Sequence, residues 1–361
     1  MKKIKVGIIG TGFSPQKYQL PTLAREKLVE LTAFCDIIPE RAENAARRYG
    51  APDSKVYADY RDLLKEPDID TVYVCTSNRA HSYITIDALR AGKHVMCEKP
   101  MARNAAEAEQ MLKTAKETGK KLSVHFQRRL FPECMVLKQM IQAGELGDIY
   151  YSKGMLIRRR GVPSWGDYLD KSIQGGGALL DCACHVLDMT LWLLNNYNPE
   201  FVFAVTYDMM GKIPGLINRW DDWDASRFSV EDMGFGLIKF KNGATFTIEA
   251  SWVQNVVEED NRYPLNLILC GTKAGADLSK GLRINGEKNR SLYEMNFDVS
   301  YKNVPKYRGE DISDTDLLTR DWIECIINDE QPFVKPEEAL VVSKIVDGFY
   351  ESAKTGTPYY F

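Results

Sequence analysis

The sequence predicts an α/β protein: a doubly wound parallel sheet at the N-terminus, then an α+β domain with an open, mostly antiparallel sheet. Three observations predict it. Up to about Phe126, apolar strand-like runs alternate with helical stretches of roughly ten to fifteen residues, the rhythm of βαβ units. Beyond that point strand-like runs dominate, two of them joined by the hairpin signal Lys241-Asn242-Gly243-Ala244. At 361 residues the chain also exceeds the usual size of one core, so a boundary is expected between domains 1–125 and 126–361.

Composition narrows the partners. Hydrophobic residues make up 44%, charged residues 27%, and the net charge is −3, an ordinary balance that points to neither nucleic acid nor membrane. The opening Met1-Lys2-Lys3-Ile4-Lys5-Val6 leads straight into a strand without the apolar region of a signal peptide, and no apolar run approaches a membrane span, so a cytoplasmic location is expected. The eight cysteines include no C-x-x-C pair and mostly sit in apolar runs, which suits buried thiols. Cys182-Ala183-Cys184 near His185 lacks a second ligand cluster, and no metal is expected.

The first strand, Ile4 to Ile9, ends in Gly10-Thr11-Gly12-Phe13. Gly10 would permit a tight turn and Gly12 the close approach of backbone to a pyrophosphate, although Pro15 stands at the third glycine position. Pro21 predicts that the helix after this loop starts late or is broken. The second strand, Val29 to Cys35, ends at Asp36, 24 residues beyond Gly12, where a carboxylate would bind ribose hydroxyls and repel a 2′-phosphate. It would equally serve as a helix cap. Arg41 lies in the same region and would tolerate a 2′-phosphate, so NAD is expected with NADP left open. Helices near Pro39 to Tyr49, Tyr60 to Lys65 and Ser82 to Ala91 follow, around the strand Thr71 to Cys75 and its continuation Thr76-Ser77-Asn78. The strand His94 to Cys97 delivers Glu98-Lys99-Pro100, and a lysine at the carboxyl end of a buried parallel strand points into the ligand crevice of such sheets. Helix Asn104 to Thr118 and strand Leu122 to Phe126 close the half.

In the second half a helix from Pro132 to Ala143 precedes strands at Tyr150 to Ile157, Glu200 to Tyr207, Gly234 to Phe240, Ala244 to Ser251 and Leu265 to Cys270. One helix interrupts them, from about Gly177 to Leu194. Asp181, His185 and Asp188 share one face of it at i, i+4 and i+7, either as an internal hydrogen-bonded set or as a ligand-facing one. Gly175-Gly176-Gly177 would let backbone approach a ligand closely. The run Arg158-Arg159-Arg160-Gly161-Val162-Pro163-Ser164-Trp165-Gly166 offers guanidinium donors and an apolar ring face, and reads equally as a basic surface run with a core tryptophan.

Taken together, Val6-Gly7-Ile8-Ile9-Gly10-Thr11-Gly12, Glu98-Lys99-Pro100, Gly175 to Asp188 and Phe349 to Gly356 make the chain resemble the glucose–fructose oxidoreductase, inositol dehydrogenase and rhizopine-catabolism family, Gfo/Idh/MocA. The resemblance implies an N-terminal Rossmann domain and a second α/β domain whose open sheet joins subunits, here a homodimer or homotetramer. It also implies NAD bound by Gly10, Gly12, Phe13, Asp36, Arg41, Thr76, Asn78, Glu98, Arg128 and Trp165, with Lys99 matching the catalytic lysine. Asp181 and His185 match the polar pair at the reacting hydroxyl, with Arg158 beside them for substrate. Ala183 replaces a glycine common in the family. The expected reaction is oxidation of a secondary hydroxyl of a sugar, glycoside or cyclitol by hydride transfer, with Lys99 as general base. Glycoside cleavage with tightly bound NAD, and a non-catalytic sugar sensor, are the alternatives.

Overall fold

The computed structural model describes residues 3–257, 266–299 and 312–361, and divides into two compact units. The first comprises residues up to 127 together with 312–340, the second 128–311 and 341–361.

In the first unit the chain runs β1 (Ile4–Ile9), α1 (Phe13–Lys17), α2 (Gln19–Arg25), β2 (Val29–Cys35), α3 (Pro39–Tyr49), β3 (Lys55–Tyr57), α4 (Tyr60–Leu64), β4 (Thr71–Val74), α5 (Asn78–Arg90), β5 (His94–Cys97), α6 (Ala105–Thr118) and β6 (Leu122–Val124). The six strands form one parallel sheet in the order β3-β2-β1-β4-β5-β6. Val6, Ile8, Val72, Val74, Val95 and Cys97 are fully buried within it, as expected of strands covered on both faces. Helix ends follow their side chains: Asn104 accepts from Glu107 N at 2.9 Å at the start of α6, and Gly119 closes that helix with φ +65°. The expected break around Pro21 is present, since α1 stops at Tyr18 and α2 restarts with Pro21 in its first turn.

The second unit carries α7 (Pro132–Gln142), β7 (Ile149–Ile157), α8 (Lys171–Gln174), a π-helical turn (Leu179–Ala183), α9 (Cys184–Leu194), β8 (Pro199–Tyr207), β9 (Met233–Phe240), β10 (Thr245–Ser251), β11 (Asn266–Gly271), β12 (Ala274–Asp277), β13 (Leu282–Lys288) and β14 (Ser291–Phe297). After α10 (Asp314–Ile327) and α11 (Pro336–Thr355), β15 (Tyr359–Tyr360) completes a nine-stranded sheet in the order β14-β13-β12-β11-β7-β10-β9-β8-β15. The Asn242-Gly243 turn joins β9 to β10 as expected, with Gly243 at φ +88°. Leu265, the expected first residue of one strand, lies outside the described residues.

Two expectations are corrected. Residues 312–340, assigned from sequence to the second domain, pack with the first unit, where Trp322 Nε1 donates to Thr71 Oγ1 at 3.2 Å and Arg25 pairs with Asp316 at 2.6 Å. The stretch Lys171–Leu194 does have the length and hydropathy of a membrane span, but its most apolar window is 83% buried inside the protein, which is the signature of a core helix.

Candidate active site

In the first unit the expected residues gather at the carboxyl ends of the parallel strands, the ligand side of a doubly wound sheet. Gly10, after β1, has φ +91°, and a Cβ there would lie 2.5 Å from the Cys75 carbonyl oxygen, so only glycine fits. Gly12 is different: a Cβ on it would meet nothing within 4 Å, leaving open space beside the backbone that starts α1. Phe13 follows with its ring half exposed.

Asp36, after β2, is buried and accepts from Thr11 N at 2.8 Å, Thr11 Oγ1 at 3.2 Å and Ile38 N at 2.9 Å. It therefore braces the glycine loop against the end of β2, and these bonds leave a carboxylate lone pair for a further donor. Arg41 is exposed in the first turn of α3. Ile37, 90% exposed between them, escaped the sequence reading; an apolar side chain directly after the strand-ending acid was the signal.

Thr76 and Asn78 stand half-buried where β4 passes into α5. Here His81, also missed, reaches both neighbouring loops: Nδ1 lies 2.8 Å from the Pro100 carbonyl and Nε2 3.2 Å from that of Thr76. Burial depresses its pKa, and a neutral ring has one N–H to give, best placed on the shorter contact. Glu98 was expected to face the cofactor, yet its carboxylate is engaged by the chain itself: Oε1 accepts from Gln19 Nε2 and lies 3.5 Å from His125 Nδ1, while Oε2 accepts from Lys99 N at 3.1 Å. Lys99 is thus carried on a backbone pinned by Glu98 on one side and by His81 through Pro100 on the other.

In the second unit Asp181 sits within the π-helical turn, a widened ring that recurs at functional sites. Its Oδ2 accepts from Trp252 Nε1 at 2.9 Å and lies 3.5 Å from Arg158 Nη1. Trp252, fully buried, carried no local sequence signal. His185 lies in the first turn of α9 and is 8% exposed. Asp188 does not join them; it forms a fully buried bidentate pair with Arg129, at 2.9 Å from Nε and 2.5 Å from Nη2. Arg128 stacks over Phe131, and Trp165 meets Trp220 edge-on at 4.9 Å.

Two of the three glycines before Asp181 make their close approach elsewhere than expected. A Cβ on Gly176 would lie 1.9 Å from the Tyr350 hydroxyl and one on Gly177 2.0 Å from the Glu231 carbonyl, so the close approach is to the chain's own groups. Glu231 Oε1 accepts from Gly177 N at 2.9 Å, Leu179 N at 3.0 Å and Tyr350 Oη at 2.8 Å, holding the turn that presents Asp181. Burial raises the pKa of this carboxyl, while the donors around it pull the other way.

The donor set of the first unit fits a dinucleotide: a turn glycine, an open glycine, and a strand-ending acid with a lone pair left over. The comparisons agree. Residues 4–126 match the Gfo/Idh/MocA oxidoreductase model described as an NAD-binding Rossmann fold, and residues 138–361 match that family's C-terminal alpha/beta domain. The D-glucoside 3-dehydrogenase of Escherichia coli is 32% identical over 358 residues, 98% of this chain and 96% of that one. The levoglucosan dehydrogenase of Pseudarthrobacter phenanthrenivorans is 30% identical over 70% of this chain and 68% of that protein. Among solved structures, a levoglucosan dehydrogenase in complex with NADH and levoglucosan superposes with a TM-score of 0.84 at 25% identity, covering 99% of each chain. The chain is an NAD-binding oxidoreductase belonging to the Gfo/Idh/MocA family.

Proposed function

We propose that the protein oxidises a secondary hydroxyl of a sugar or glycoside, with Lys99 as the general base. The observation that carries this reading is Lys99 at the carboxyl end of β5, on a backbone pinned by Glu98 and His81, in a chain that aligns end to end with a glucoside dehydrogenase. Gly10, Gly12, Phe13, Asp36, Arg41, Thr76 and Asn78 hold the dinucleotide, and Arg128 and Trp165 complete its binding set. Bound NAD supplies the hydride acceptor. Lys99 Nζ takes the hydroxyl proton. Asp181, fixed by Trp252 and Arg158, accepts a hydrogen bond from a substrate hydroxyl, and His185 fixes a second. Arg158 donates to substrate oxygens.

A cytoplasmic location accords with the absence of any disulfide among the described cysteines. The nine-stranded sheet, with Phe235, Leu292 and Met295 exposed, is assigned to subunit contact in a homodimer or homotetramer. A panel of sugars, glycosides and inositols with NAD and NADP, read by reduced-cofactor absorbance, tests the reading. Turnover of at least one sugar or glycoside with NAD is expected; silence across the panel overturns it.

A further inference from the structure

Apart from Glu231 at its end, the long connection 208–232 between β8 and β9 has no part in the assignments above. Connections of this length without a strand of their own are characteristically functional. This one is built rather than loose. Asp232 accepts from Met210 N and Gly211 N, both at 2.7 Å, and Trp223 Nε1 donates to the Gly211 carbonyl at 2.7 Å. A Cβ on Gly211 would lie 2.2 Å from the Phe228 ring, so the loop closes on itself. Asn218 then docks it onto the segment after β7, accepting from Val162 N at 3.1 Å and donating to the Val162 carbonyl at 2.9 Å.

The result of that docking is the position of Trp220. The residue is 39% exposed, yet its ring meets Trp165 edge-on at 4.9 Å and carries the Arg158 guanidinium 5.5 Å and the Arg219 guanidinium 5.7 Å from its centroid. Arg158 in turn stands 3.5 Å from Asp181 Oδ2. Trp220 is therefore one guanidinium removed from the carboxylate assigned to the reacting sugar. Ile213 and Ile217 on the same loop are also exposed, so the apolar surface extends outward.

We propose that Trp220 is the platform of a second subsite, which takes the aglycone ring of a glycoside whose sugar is held at Asp181. This rests on the dehydrogenase reading above and sharpens its substrate class. An aromatic face stacks on the apolar side of a flat or chair-shaped ring, while the neighbouring guanidiniums donate to its oxygens. A free hexose or inositol would leave that face uncovered.

The test compares methyl and phenyl D-glucopyranosides, both anomers of each, on wild type, Trp220→Ala and Trp220→Phe. Two quantities are read: kcat/KM with NAD, and calorimetric affinity for the NADH-loaded protein, which holds a substrate without oxidising it. Wild type should favour one phenyl glucoside over its methyl counterpart by about tenfold or more in both, Trp220→Ala should bring the pair within about twofold, and Trp220→Phe should retain most of the preference. No preference in wild type, or a preference that survives Trp220→Ala, overturns the platform. If no sugar or glycoside of the wider panel is oxidised either, but the binding preference exists and is lost in Trp220→Ala, the platform stands and the dehydrogenase reading falls.

Discussion

On the proposed reading Asp36 and Asp181 each carry two tasks, and the contacts say which can be separated. Asp36 braces Thr11 and is the proposed ribose ligand, so Asp36→Ser should weaken NAD binding and relax discrimination against NADP, with a loss of about 1 kcal/mol in stability from the missing brace. Calorimetric titration with each dinucleotide, alongside urea denaturation, measures both; a variant still strongly selective for NAD would move the discrimination elsewhere. Asp181→Asn keeps the shape of the side chain and an acceptor for Trp252, but removes the charge beside Arg158. We expect turnover to fall by at least about tenfold. The melting temperature should change by only a few degrees, and a large loss of stability with unchanged specific activity would make the group structural. The glycines divide in the same way. Gly10→Ala should fail to fold stably, because its φ and the Cys75 carbonyl both forbid a side chain, whereas Gly12→Ala should fold normally and bind NAD more weakly. Equal thermal stability of the two variants would contradict this.

Among the elements, β5 lends itself to a test of pH. Burial beside Lys120 and Lys121 pushes the His94 imidazole down to about 4 from an ordinary 6.5, and its Nδ1 accepts from Lys121 N at 3.0 Å. Because the unfolded chain takes up this proton first, the group's contribution is complete above pH 6.5 and is lost as the pH falls from about 6.5 toward 4. Urea midpoints should therefore drop between pH 7 and 5, and drop less in His94→Asn, which keeps an acceptor for Lys121 N. Parallel slopes in the two proteins would contradict the assignment. At this scale much was legible from local pattern: β1, α3, β4, β5, α6 and the β9–β10 hairpin fall within a residue or two of the apolar runs and turn signals that predicted them. The edge strands β3, only three residues long, and β14, mostly exposed, were not, since an edge strand with exposed residues carries no inward–outward hydrophobic alternation. Neither was the π-helical turn. It depends on Glu231 and Tyr350, which reach Gly177 from far along the chain, and no local pattern announces such a contact.

For the whole molecule, the sequence motifs led to the right strand ends but misjudged what several residues touch there. Glu98 turned out to be held by Gln19, and Gly176 and Gly177 to stand against Tyr350 and Glu231, each an interaction between segments that only the fold brings together. Lys99 needed no such correction of position, because a strand's carboxyl end is fixed by the strand. The account stands or falls on this residue, and the most direct measurement sets NAD affinity and turnover of Lys99→Ala beside those of wild type on the best substrate of the panel. If Lys99 is the general base, affinity stays within a few-fold while turnover falls by about 10²–10⁴. Unchanged turnover would remove Lys99 from the chemistry, and a variant that no longer binds NAD would make it a cofactor-placing residue instead.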